Sequence, residues 1–128
     1  MFFGAALRKG STLPANHIPP METQSRIREL NDAFRMAPER GRFVITRGIA
    51  ALPVEEQERI MERVRTFNEF TPDNDPFGEH DFGSFDHNGK LIFWKIDCYD
   101  LDCNMGSPNP DDPSVTTRIL TLMLADEY

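Results

Sequence analysis

The chain has 128 residues, 27% of them charged and 39% hydrophobic, with a formal net charge of -7. That is the length of one domain, long enough to bury a core, with an ordinary soluble balance. No apolar run approaches the roughly 20 residues that span a bilayer. The start "MFFGAALRKG" puts its basic pair after a short apolar patch, the reverse of a secretory signal, so a cytoplasmic location is expected.

Residues 1–21 lack hydrophobic periodicity, and "STLPANHIPP" places three prolines in ten residues. Proline stops helices and supplies no ladder donor, so this stretch reads as a flexible arm carrying His17, followed by a single domain over 22–128. Order is expected from about Ser25, where Ile27, Leu30 and Phe34 form a helical stripe that should end by Ala37, ahead of Pro38. "GRFVIT" (Gly41–Thr46) is short, β-branched and bounded by glycines, and reads as a strand. A second helix opens at Pro53, with Glu55, Glu56 and Glu58 near its positive end and Ile60, Met61, Val64 and Phe67 as its buried stripe. Arg59, Arg63 and Arg65, interleaved with glutamates, read as surface charges rather than a nucleic-acid patch.

"DFGSFDHNGKLIFWKID" consists of two strand-like runs joined by Asn88-Gly89, the strongest short hairpin signal. A two-residue turn sets His87 opposite Lys90, and extending the register pairs Phe85 with Ile92, Gly83 with Trp94, Asp81 with Ile96 and His80 with Asp97. Alternation then gives a core face of Phe85, Ile92, Trp94, Ile96 and Cys98, with Gly83 leaving room for the indole. The opposite face collects His80, Phe82, Ser84, Phe93, Lys95, Asp97 and Tyr99, and is the best candidate for chemistry or recognition. His80 across from Asp97 admits three readings: a pair that stabilises the hairpin, a general acid/base oriented by a carboxylate, or a weak metal pair. Lys95 and Tyr99 complete the catalytic candidates.

The preceding loop, "TPDNDPFGEHDFG", invites a calcium reading. Asp73, Asp75 and Gly78 match the first, third and sixth positions of an EF-hand loop, but Phe77 and Ser84 stand where an oxygen ligand and a bidentate Glu are needed. "DPFG" instead suits a type I turn, which leaves Asp73, Asn74 and Glu79 unexplained. With Asp75, Phe82 and Asp100, these are the candidate binding residues. No cofactor is expected, and metal candidates beyond His80 and Asp97 are absent. No Gly-x-Ser-x-Gly, phosphate-binding Gly-rich loop or His-Glu-x-x-His occurs. Cys98 falls on the core face and reads as a structural thiol.

"YDLDCNMGSPNPDD" is a long loop, after which Asp112 as cap and Pro113 at the first position open a last helix that turns Val115, Ile119, Leu122 and Met123 inward. The expected fold is α+β in the order α-β-α-β-β-α: a small three-stranded, mainly antiparallel sheet with a central β-hairpin, packed by three helices.

Charge is uneven along the chain. Residues 1–68 carry eight acidic and eleven basic side chains, whereas residues 69–128 carry thirteen acidic and three basic ones, Lys90, Lys95 and Arg118. So acidic a half repels nucleic-acid phosphates and suits a basic protein surface, or simply keeps the chain soluble.

The segments "RIRELNDAFR", "TRGIAAL", "FTPDNDPFGEHDFG", "FWKIDCYD" and "GSPNPDDPSVTTRILTLMLADEY" resemble the bacterial domain-of-unknown-function family 3768, found largely in proteobacteria. The resemblance runs from about Arg26 to Tyr128. It implies no established activity and no catalytic residues to transfer. The family pattern usually has a tyrosine where this chain has Cys98, which argues against an essential thiol. It also implies a frequent setting on plasmids and integrative elements, compatible with an anti-restriction or anti-defence role. The expectation is a non-enzymatic protein-binding or regulatory module that meets a basic protein surface, without direct nucleic-acid or membrane contact. The alternative is a small hydrolase or transferase using the His80–Asp97 pair, with or without a metal.

Overall fold

The computed structural model of the chain describes residues 21–128. The arm expected over 1–21, with His17, lies outside them except for its last residue, Met21, which starts the first helix. That helix, α1 (Met21–Met36), is followed by a 3-10 turn at Pro38–Arg40 and strand β1 (Arg42–Ile45). A single helical turn, α2 (Arg47–Ala50), leads to helix α3 (Val54–Arg65), then to strands β2 (Phe82–His87), β3 (Lys90–Tyr99) and β4 (Thr117–Leu124). No helix among the described residues is long and apolar enough to cross a membrane.

The expected hairpin forms in the expected register, with Gly83 opposite Trp94 and His87 opposite Lys90. Asn88 and Gly89 both take the left-handed conformation, φ 52° and 82°, that a two-residue primed turn requires. A methyl group at Gly83 would run into the Trp94 indole, so the glycine makes the space that the ring fills.

The last expected helix is a strand. Asp112 does cap as anticipated, its carboxylate accepting the Ser114 N–H at 2.9 Å, but the helical conformation ends after one 3-10 turn, Pro113–Val115. The chain then enters β4, which lies between β1 and β3 in a four-stranded sheet of order β1-β4-β3-β2. A central strand is covered on both faces, so Leu120, Thr121, Leu122 and Met123 are buried in succession and no alternation marks them as a strand. β1 runs parallel to β4, and the other neighbours are antiparallel. The fold is therefore α+β, with four strands rather than three.

One face of the sheet carries Phe85, Ile92, Trp94, Ile96, Leu120 and Leu122 against Ile49, Ile60, Met61 and Val64 of α2 and α3. Each such side chain contributes about 1.5–3 kcal/mol by leaving water. α1 is less apolar than its stripe suggested. It buries Ile27 but also Asn31 and Arg35, one turn apart. Arg35 is buried because it has work to do there: its guanidinium donates to the Val64 carbonyl at 2.8 Å and the Phe67 carbonyl at 2.9 Å, satisfying acceptors at the C-terminal end of α3.

Candidate functional site

The loop between α3 and β2 is organised by its own side chains. Asp75 and Gly78 close the anticipated turn, the Gly78 N–H donating to the Asp75 carbonyl at 3.0 Å. Thr71 and Asn74 exchange side-chain and backbone hydrogen bonds, and the Asn74 amide also donates to the Glu69 carbonyl. Asp75 turns inward, its Oδ1 accepting the N–H groups of Glu79 and His80, each at 3.1 Å. Burial pushes the Asp75 carboxyl above the usual aspartate range, against the pull of the His80 N–H.

Three consecutive residues of this loop are clasped by α1. Arg28 donates to the Gly78 carbonyl at 3.1 Å, Asn31 donates to the Glu79 carbonyl at 2.9 Å, and Asp32 meets His80 Nδ1 at 2.9 Å. The Asn31 oxygen in turn accepts from Arg118 Nε at 2.8 Å, which ties the clasp to β4.

His80 does not face Asp97. The ladder continues one residue beyond β2, with Ile96 N–H donating to the Asp81 carbonyl at 2.9 Å. At His80 the backbone then swings to φ 54°, out of strand geometry. The imidazole lies flat on the Phe70 ring, with centroids 3.7 Å apart, between Asp32 and, at 3.7 Å from Nε2, Asp75. Arg35 completes a charged chain through its 2.9 Å ion pair with Asp32. This arrangement orients a half-buried imidazole between two carboxylates, with the helix and the loop as its two walls.

Asp73, Asn74, Phe82, Lys95 and Asp97 gather at the far face of the sheet. Lys95 and Asp97, both buried, form an ion pair at 2.7 Å. They line a cleft of about 320 Å³ with Asp73, Asn74, Pro76, Asp81, Phe82, Ile96 and Tyr128. Phe82, Phe93 and Tyr128 pack edge to face along its side, 5.2 Å from Phe82 to Phe93 and 5.6 Å from Phe93 to Tyr128. Three aspartates against one lysine give this lining an excess of negative charge, suited to a cationic group rather than a phosphate.

Among the expected binding residues, Asp73, Asn74 and Phe82 line the cleft, whereas Asp75 and Glu79 are buried in the clasp. Asp100 stands apart and closes its own loop, accepting the Asn104 N–H at 2.9 Å. Tyr99 pairs with Thr117 at the far end of β3, where burial, then the Asp97 charge, raises its phenol above the ordinary range. Sequence reasoning missed Asp32, Asp81 and Tyr128. Asp32 and Tyr128 reach their places only through the tertiary fold. Asp81 stands opposite Ile96, as the register predicts, and beside Phe82 at the mouth of the strand pair, where it lines the cleft. Among the described residues, no group of three or more His, Cys, Asp or Glu side chains is placed to hold a metal ion.

A family model described as "Protein of unknown function (DUF3768)" matches residues 45–127. The chain belongs to the DUF3768 family. No curated protein and no solved structure matches it. The DUF3768 segment holds every cleft residue except Tyr128, and it holds the loop that α1 clasps. α1 itself precedes the segment, so Asp32 and Asn31 reach into it from outside.

Proposed function

We propose that this DUF3768 protein is a non-enzymatic binding module whose acidic C-terminal half recognises a basic protein surface. The observation that carries this reading is where the few cations of that half lie. Lys95 is buried against Asp97, and Arg118 is half-buried and spent on Asn31 and the Pro110 carbonyl, which leaves Lys90 exposed at the hairpin turn. Glu69, Asp73, Asp86, Asp102 and Asp126 are exposed. The surface is thus more uniformly acidic than the composition alone requires, and such a surface steers a basic partner in. A regulator or inhibitor of a nucleic-acid-acting system is the sharpest form of the proposal, since the basic surface of such a system is built to meet phosphates. The enzymatic alternative depended on His80 being oriented by Asp97, and those two residues have different partners.

Capture from native lysate followed by mass spectrometry tests the proposal when run alongside the triple variant Asp73→Lys, Asp86→Lys, Asp102→Lys. A basic partner retained at low salt, released as salt rises and lost with the variant supports it. Equal capture by both proteins, or capture indifferent to salt, overturns it.

A further inference from the structure

The two edges of the sheet are treated differently. On β2, the edge is occupied: Arg63 donates to the outward Asp86 carbonyl and stacks its guanidinium 4.3 Å over the Phe85 ring. A side chain laid along an edge blocks the approach of another strand. On β1, no described residue pairs with the edge. Arg42, Phe43 and Val44 are all exposed, Phe43 at 41% and Val44 at 47%. The Thr46 N–H donates to the Leu122 carbonyl, so the backbone groups of alternate residues point toward β4 and those of Phe43 and Ile45 point away from it. Among the described residues, these two N–H and two C=O groups have no backbone partner. β1 is short and carries one charged side chain, Arg42 at its start, but it has no proline, no bulge and no lysine.

We infer that the β1 edge is a second docking surface, which receives an extended, acid-flanked segment of a partner protein as a fifth strand. The charge around it selects this occupant. Arg42 at the start of β1 and Arg47 two residues past its end are both exposed, so each end of the open ladder is marked by a guanidinium. Main-chain hydrogen bonds would supply affinity, Phe43 and Val44 would contact alternate side chains of the incoming strand, and the arginines would pair with acidic flanks. A second copy of this chain fits less well. Antiparallel pairing of two β1 strands sets Arg42 and Arg47 of one copy beside those of the other, and like charges across a strand pair repel. This surface is distinct from the acidic half and selects the opposite charge.

The test uses the full chain, 15N-labelled, titrated with a capped hexapeptide of sequence Glu-Val-Thr-Val-Thr-Glu and with its Lys-flanked counterpart. Binding of the acidic peptide should move the amide signals of Phe43 and Ile45 most. The double variant Arg42→Glu, Arg47→Glu, which leaves the β4 ladder intact, should weaken that binding about ten-fold. Methylating alternate peptide nitrogens on the pairing edge should abolish it. Equal binding of the two peptides, shifts centred away from β1, or no shifts at millimolar peptide would overturn the inference. A dimer seen by light scattering that dissociates in the variant Phe43→Pro, which removes an N–H pointing away from β4, would also overturn it, by assigning the edge to a second copy.

Discussion

His80 holds a left-handed backbone conformation that a residue with a side chain adopts at a cost of about 1–2 kcal/mol. What holds it there is specific: the ring stacks on Phe70, Nδ1 meets Asp32, and its own N–H is bound by Asp75. His80→Ala should keep the strain and the backbone bond to Asp75 but lose the side-chain contacts, lowering stability by about 2–3 kcal/mol in urea unfolding. His80→Gly should lose the same contacts but relieve the strain, so it should be about 1 kcal/mol more stable than the alanine variant despite the smaller residue. A glycine variant less stable than the alanine one would show that the conformation is not a burden. Glu127 is a second such residue. Burial opposes its ionisation, but hydrogen bonds from the Thr46 hydroxyl and the N–H groups of Leu124 and Gly48 outweigh that and hold its carboxyl below the usual range. A carboxyl with a lowered folded-state pKa contributes stability that is complete above its unfolded value, about 4.3, and is lost as pH falls through the folded value. The melting temperature of Glu127→Gln should therefore lie below that of the parent at pH 7, and the gap should close progressively below about pH 4.

At the scale of elements, α1 acts as a clasp more than as an apolar support. Asn31 is fully buried and joins the Glu79 carbonyl to Arg118, so one amide binds helix, loop and central strand together. Asn31→Ala should strand the buried Glu79 carbonyl at a cost of about 1–3 kcal/mol, and the half-buried Arg118 Nε at a smaller one. Hydrogen exchange should then quicken across 75–81 before it does in β3, and uniform exchange would argue against a local clasp. None of this was legible beforehand, because the amino-acid sequence shows Asn31 as a break in an apolar stripe and gives no sign of its partner. The hairpin was legible for the opposite reason: Asn88-Gly89 is a local instruction, and the polar Lys95 and Asp97 alternate with Trp94, Ile96 and Cys98, so β3 keeps its period of two although all five are buried. β4 was misread because both its faces are covered, and because Asp112-Pro113 is a genuine helix start that stops after one turn. The candidate cleft was half legible. Phe82, Lys95 and Asp97 follow from the hairpin register, whereas Tyr128 arrives from the C-terminal 3-10 turn that packs beside them.

For the whole molecule, the decisive feature is that β1 and β3 meet only through β4. Arg42 pairs with Ile119 and Ile45 with Leu122, contacts between distant parts of the chain that are slow to close. A chain ending at residue 116 should keep the hairpin sequence intact yet lack a cooperative thermal transition, since Leu120 and Leu122 supply the middle of the core. A sharp melting curve from that truncated chain would overturn this expectation. The same arrangement sets an order of events during synthesis. While the ribosome is still translating, β1 and the hairpin are complete but have no neighbour to join, so their apolar faces wait in the open. Folding becomes possible only once β4 has cleared the exit tunnel. For that interval the nascent chain depends on its charged residues, and on any chaperone at hand, to stay out of aggregates.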